Sequence, residues 1–265
     1  MRREDRRTSM HKTDAAGSFD IAVSLGLYCQ SRHNISRVLW ERRTHRAEQG
    51  EDFDLNGKTT EDYDFGSFAF DWCISNPAGI RKCLAKDFEG MFELENLTIA
   101  NHPELKPSAR DAFSGFFYPH AFSRPREGRL TLQRVAAQYD LAREKHDHVI
   151  GKTRKLLNSD LNILFVFSGT VGPKVLANLI GSLDARTRNY RILYCGWADD
   201  RQIIDVDAEE FGGRLISRPI EHLPHPGDPA SWDRAFEGLE ILPPAGQSGA
   251  VSANRAKLDS QCSPT

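Results

Sequence analysis

Apolar positions along this chain alternate between short unbroken runs and helically spaced stripes. The stretch "IAVSLG" is a short apolar run from Ile21 to Leu25 that turns at Gly26. Directly after it, "QSRHNISRVLW" carries Ile35, Val38 and Leu39 at helical spacing. In "FAFDWCISNPAGIRKCLAKDF" a helix start is legible. Ser75 or Asn76 can cap the orphan amides, Pro77 suits the first helical position, and Ile80, Cys83, Leu84 and Phe88 follow on roughly one face. A long helical pattern runs from Leu130 to Leu157, with Gly151 as a point of break or bend. "LNILFVFSG" and "YRILYCGW" are continuous apolar runs, the signature of strands covered on both faces, and "VGPKVLANLIGSL" between them reads as a helix. "IIDVD" and "RLISRPI" are shorter strand candidates.

Strands alternating with helices predict an α/β fold, a mainly parallel sheet flanked by helices in a Rossmann-like three-layer sandwich. One such domain is expected over residues 19–240. It is interrupted by a polar, aperiodic insertion at about 43–64 and bounded by disordered tails at 1–18 and 241–265.

Composition narrows the function classes. The formal net charge of 265 residues is −2, so no global basic field favours nucleic acid as a partner. No apolar segment is long enough for a membrane span, and the charged start is no secretory signal, which predicts a cytoplasmic protein with no membrane partner. Cys29, Cys73, Cys83, Cys195 and Cys262 form no CxxC pair and are odd in number. They are expected as free thiols, with neither a structural zinc site nor any other metal or cofactor implied.

Candidate chemistry collects where predicted strands end. In a parallel sheet, ligands meet the carboxyl ends of the strands. Cys29 falls at such a junction, as a nucleophile or as a packing residue. There, unpaired amides and a helix N-terminus favour thiolate over thiol. Cys83, on the apolar face of its helix, reads as core. Asp71, between Phe70 and Trp72, must find partners. It can orient a histidine, cap a turn or pair with an arginine. His120 borders the aromatic patch "GFFYPHAF" and His33 the polar side of its helix. His146 and His148 point to different helix faces, and His222 and His225 lie together in the loop "EHLPHPGD". "FSGTVGP" offers a weak anion site at a helix start, and "GWADD" places Asp199 and Asp200 after a strand.

"SLGLYCQSR", then "FDW" followed by a helix and "KDFEGMFELENL", then "YPHAF", a long basic helix and "ILFVF", together resemble the bacterial DUF1796 family. That family is described as papain-like cysteine peptidases. The resemblance runs from about Ile21 to Trp197 and more faintly to "DPASWDRAFEGL" near Trp232. It implies Cys29 as nucleophile and His120 as general base; Asp71 is the third catalytic candidate, in the orienting place, from its position among the aromatics and not from the family. A thiolate–imidazolium pair would attack a carbonyl of a peptide, ester or acylated glycan and form an acyl-enzyme that water resolves. The contrasting expectation is a non-catalytic α/β module in which the loops "FSGTVGP" and "GWADD" hold a sugar or a nucleotide sugar.

Overall fold

A computed structural model of the chain describes residues 17–48, 67–103, 105–124, 128–197 and 208–241. The fold is mixed α/β, with a parallel sheet, an antiparallel sheet and five α-helices among the described residues. Strand β1 (Ser18–Phe19) leads into β2 (Ile21–Gly26), helix α1 (Gln30–Glu48) and helix α2 (Pro77–Ala85). An antiparallel set follows: β3 (Leu97–His102), β4 (Leu105–Asp111) and β5 (Phe117–Tyr118). The chain then alternates through α3 (Leu132–Leu157), β6 (Ile163–Ser168), α4 (Pro173–Asp184), β7 (Tyr190–Cys195), β8 (Leu215–Ser217), α5 (Pro229–Ala235) and β9 (Glu240–Ile241).

The parallel sheet has the order β2-β6-β7-β8. Its strands are apolar without alternation because both faces are covered. Val23, Leu25, Phe165, Phe167, Ile192 and Tyr194 pack with α2, α3 and α4. Ala22, Leu164, Val166, Leu193 and Cys195 pack with α1 and α5, around the fully buried Trp232. β1 and β9 pair in parallel, so Ser18, expected in the tail, is tied to the far end of the described chain.

Several local expectations meet the structure directly. Asn76 caps α2, its side chain accepting from the Gly79 amide at 2.7 Å. α3 continues through Gly151 without a break. His146 on that helix is core: its ring stacks on Phe92 at 4.4 Å, and burial pushes its pKa down to about 4, so it stays neutral.

Two features differ from the sequence reading. α1 runs on to Glu48, into the start of the expected insertion, because Arg42–Glu48 contains no helix breaker. Arg42 also anchors it, donating to the carbonyls of Leu239 (2.6 Å) and Phe236 (2.7 Å). The rest of the insertion, the outer tails, "IIDVD", Asp199, Asp200 and Cys262 lie outside the described residues. The antiparallel sheet is the second difference: β3 is half polar, and β4 is largely polar and contains Pro107, so neither reads as a buried apolar run. No helix among the described residues is long and apolar enough to cross a membrane.

Candidate active site at the carboxyl edge of the parallel sheet

Cys29 is delivered to its place by a pinned turn. Gly26 ends β2 with φ +93°, and a Cβ there would sit 1.9 Å from Ser75 Oγ, so only glycine fits. Ser75 holds the turn from one side, its amide donating to the Leu27 carbonyl (2.9 Å) and its hydroxyl to that of Leu25 (3.1 Å). Ser31 holds it from the other, hydrogen-bonded to Ser168 Oγ (2.7 Å) at the end of β6. The Cys29 carbonyl then accepts the first helical bond of α1, from the His33 amide at 3.0 Å.

One face of α1 grips the loop after β8. Gln30, Asn34 and Arg37 recur at helical spacing. Gln30 donates to the Leu223 carbonyl (3.2 Å), Asn34 to the Pro226 carbonyl (2.8 Å) and Arg37 to the Pro229 carbonyl (3.2 Å). Arg37 also pairs with Asp233 at 2.7 Å, on α5. At Gly227 (φ +88°) the backbone comes so close that a Cβ would lie 2.2 Å from Gln30 Nε2. The loop so held carries His225, whose Nδ1 lies 4.0 Å from Cys29 Sγ.

The imidazole hydrogen-bonded to Cys29 is thus that of His225. His120 is elsewhere on the rim, edge-on to the half-exposed Trp72 with centroids 6.3 Å apart. No hydrogen bond joins His120 to Cys29 among the described residues. His33, one turn along α1 from Cys29, presents its ring edge-on to His225 at 5.2 Å. A second side of the rim is aromatic: Tyr28 lies 6.0 Å from Trp197, and Trp197 stacks on His222 at 3.7 Å.

Of its three expected alternatives Asp71 takes two, capping a turn and pairing with an arginine. Fully buried, it accepts from the Phe68 amide (2.7 Å) and faces Arg32 at 3.5 Å, on α1 one turn beyond Cys29. No histidine partners it among the described residues, and none of their carboxylates hydrogen-bonds His225.

Burial decides the state of the thiol. The Cys29 pKa is raised, chiefly by desolvation, against a smaller lowering by its own backbone amide. The expected thiolate at a helix start is therefore a thiol here: loss of water outweighs the amides. Cys83 is core as expected, pushed up to about 12 by burial, and Cys73 and Cys195 are likewise raised and buried. Cys29 alone of the four described cysteines is partly exposed.

Two imidazoles feel His225, those of His33 and His120. Desolvation lowers both His33 and His120, and the charge of His225 lowers each further, with Arg37 and Arg124 as respective third causes. NMR titration of the imidazole protons is expected to place the His33 and His120 midpoints below the ordinary 6.5. His225→Gln should raise both. Unmoved midpoints in that variant would show that the three rings do not share a field.

The two loop motifs fare differently. In "FSGTVGP" the Val171 amide is taken by Tyr194 Oη at 3.1 Å, which fills part of the expected anion site. "GWADD" is described only as far as Trp197. Among the described residues no three of His, Cys, Asp and Glu are arranged to hold a metal ion. No family model matches the chain, and neither a curated protein nor a solved structure matches it.

His225 carried a signal in the sequence that went unused. It follows the last strand of the parallel sheet, so its loop opens on the same edge as the residue after β2. His120 follows β5 of the antiparallel sheet and has no such claim to that edge.

Proposed function

We propose that the protein is a cysteine-nucleophile hydrolase in which Cys29 and His225 form the reacting pair. The carrying observation is the 4.0 Å approach of the His225 Nδ1 to the one partly exposed thiol among the described residues, at the carboxyl edge of the sheet. His225 replaces His120 as the base in this reading. The kinship with the DUF1796 family and the Rossmann-like three-layer arrangement of the parallel sheet belong to the same proposal. So does a cytoplasmic location, which the unpaired state of all four described cysteines supports.

Because the resting sulfur is a thiol, His225 acts as general base at the moment of attack, without a preformed ion pair. Sγ forms a bond to the carbonyl carbon of a peptide, ester or acylated glycan while its proton passes to Nδ1. The carbonyl oxygen becomes an oxyanion beside the first-turn amides of α1, which have no acceptor within the helix. The C–O or C–N bond then breaks, the leaving group takes the proton from His225, and water releases the acyl group.

p-Nitrophenyl acetate tests this without knowledge of the natural substrate. The expected result is a stoichiometric burst of nitrophenolate with the acetyl group mapped to Cys29, followed by slow turnover, and no burst from Cys29→Ala. Acetylation confined to surface lysines, with Cys29 unmodified, would refute the proposal.

A second reading rests on the stacked Trp197–His222 pair beside Tyr28, a flat surface of the kind that holds sugar rings or bases. On this reading the edge binds a glycan or nucleotide sugar and Cys29 packs. It expects a thermal shift with nucleotide sugars and no burst.

A further inference from the structure

The opposite edge of the parallel sheet holds a feature unrelated to Cys29. Where β6, β7 and β8 begin, beside β1, lies an open cavity of about 390 Å³. Ser18, Asn162 and Asn189 line it together with three arginines, Arg188, Arg191 and Arg214, and no carboxylate is among its lining residues.

The three guanidinium groups differ in what they do. Arg214 is structural. It donates to the carbonyls of Arg188 (2.8 Å) and Tyr190 (3.1 Å), lies over the Tyr190 ring at 4.5 Å and pairs with Asp184 at 3.3 Å. It thereby fixes the turn that leads into β7 and presents Arg188. The guanidinium groups of Arg188 and Arg191 have no hydrogen-bonding or ion-pair partner among the described residues. Arg191 is only half-exposed, its guanidinium 3.6 Å from where a Cβ on Gly17 would stand. Two carboxylates close by are engaged, Asp184 by Arg214 and Tyr190, and Asp20 by the Asn162 amide at 2.7 Å. Two guanidinium forks with all donors free, over an open cavity lined by no carboxylate, match a tetrahedral oxyanion of high charge. The volume leaves room for more than a bare ion.

We infer that this cavity binds a phosphate-bearing small molecule through Arg188 and Arg191. The probe is pyrophosphate, titrated into the full chain in a phosphate-free, low-salt buffer and followed by melting temperature and calorimetry. Orthophosphate, a sugar phosphate and citrate run in parallel. Pyrophosphate or the sugar phosphate should give saturable stabilisation, the preferred one telling free phosphate from a phosphate ester. The Arg188→Gln/Arg191→Gln variant should bind about tenfold more weakly or worse, as loss of charge-assisted bonds implies. Its acetylation at Cys29 should match the unaltered protein, which separates this site from the hydrolase proposal. No saturable response, equal binding by the double variant, or a preference for citrate would each overturn the inference. Should the double variant itself melt early, Arg188→Gln alone, at an exposed residue, carries the same comparison.

Discussion

Asp71→Ala is expected to destabilise the fold by about 3–5 kcal/mol, the usual cost of stranding one member of a buried ion pair. Asp71 is fully buried and its partner Arg32 nearly so, and removing the carboxylate leaves the buried guanidinium without that acidic partner. Asp71→Asn should cost less, since its amide oxygen can still accept from the Phe68 amide. Arg32→Met combined with Asp71→Leu should recover much of the loss. Urea unfolding of the four proteins checks the series, and an alanine variant as stable as the unaltered protein would contradict it.

The sign of the pH dependence follows from the same burial. Desolvation raises the Asp71 pKa from 3.8 to about 6, against the lowering by Arg32 and backbone amides. The folded state therefore holds a proton that the unfolded state has released between those values. Stability carried by this carboxyl is complete below pH 3.8 and is lost as pH rises towards 6, by about 3 kcal/mol. Asp71→Asn should remove that component of the slope. Cys29 acetylation by folded Asp71→Asn should proceed at nearly the original rate, whereas an orienting residue for the base would cost orders of magnitude.

What the sequence discloses depends on how local the cause is. β2, β6, β7 and the start of α2 are legible because a run of buried apolar residues, or a cap and a proline, acts within a few positions. Cys29 is legible for the same reason, since the end of β2 and the first turn of α1 are adjacent in the chain. The antiparallel sheet escapes because β3 and β4 mix polar residues with only a few core positions, Leu97, Ile99 and Ala109, and depend on pairing with each other, which no window on either one reveals. His225 escapes for a related reason: 196 positions separate it from Cys29, and its placement depends on hydrogen bonds from Gln30, Asn34 and Arg37 that no pattern announces. The thiol's raised pKa is likewise a property of the packed site. The helix-start argument has the right sign for amides but omits the lost water, and here water is the larger effect.

His225→Ala is expected to slow acetylation of Cys29 by about 10²–10⁴-fold at neutral pH, the range for loss of a general base. With the thiol raised by burial, few molecules carry a thiolate at that pH, and His225 is the only imidazole within hydrogen-bonding reach of the sulfur among the described residues. His120→Ala, which removes a ring packed on Trp72, should change the rate by less than about tenfold. The pH profile separates the two variants further. In the unaltered protein the rate should rise as a histidine loses its proton. In His225→Ala it should instead follow the direct ionisation of a buried thiol and climb only at alkaline pH, because that thiol ionises above its ordinary value. A His225→Ala protein with normal rate and profile, alongside a His120→Ala protein that no longer acetylates, would return the base assignment to His120, as the DUF1796 resemblance implies. If both variants acetylate normally, Cys29 works without an imidazole and the hydrolase proposal loses its base.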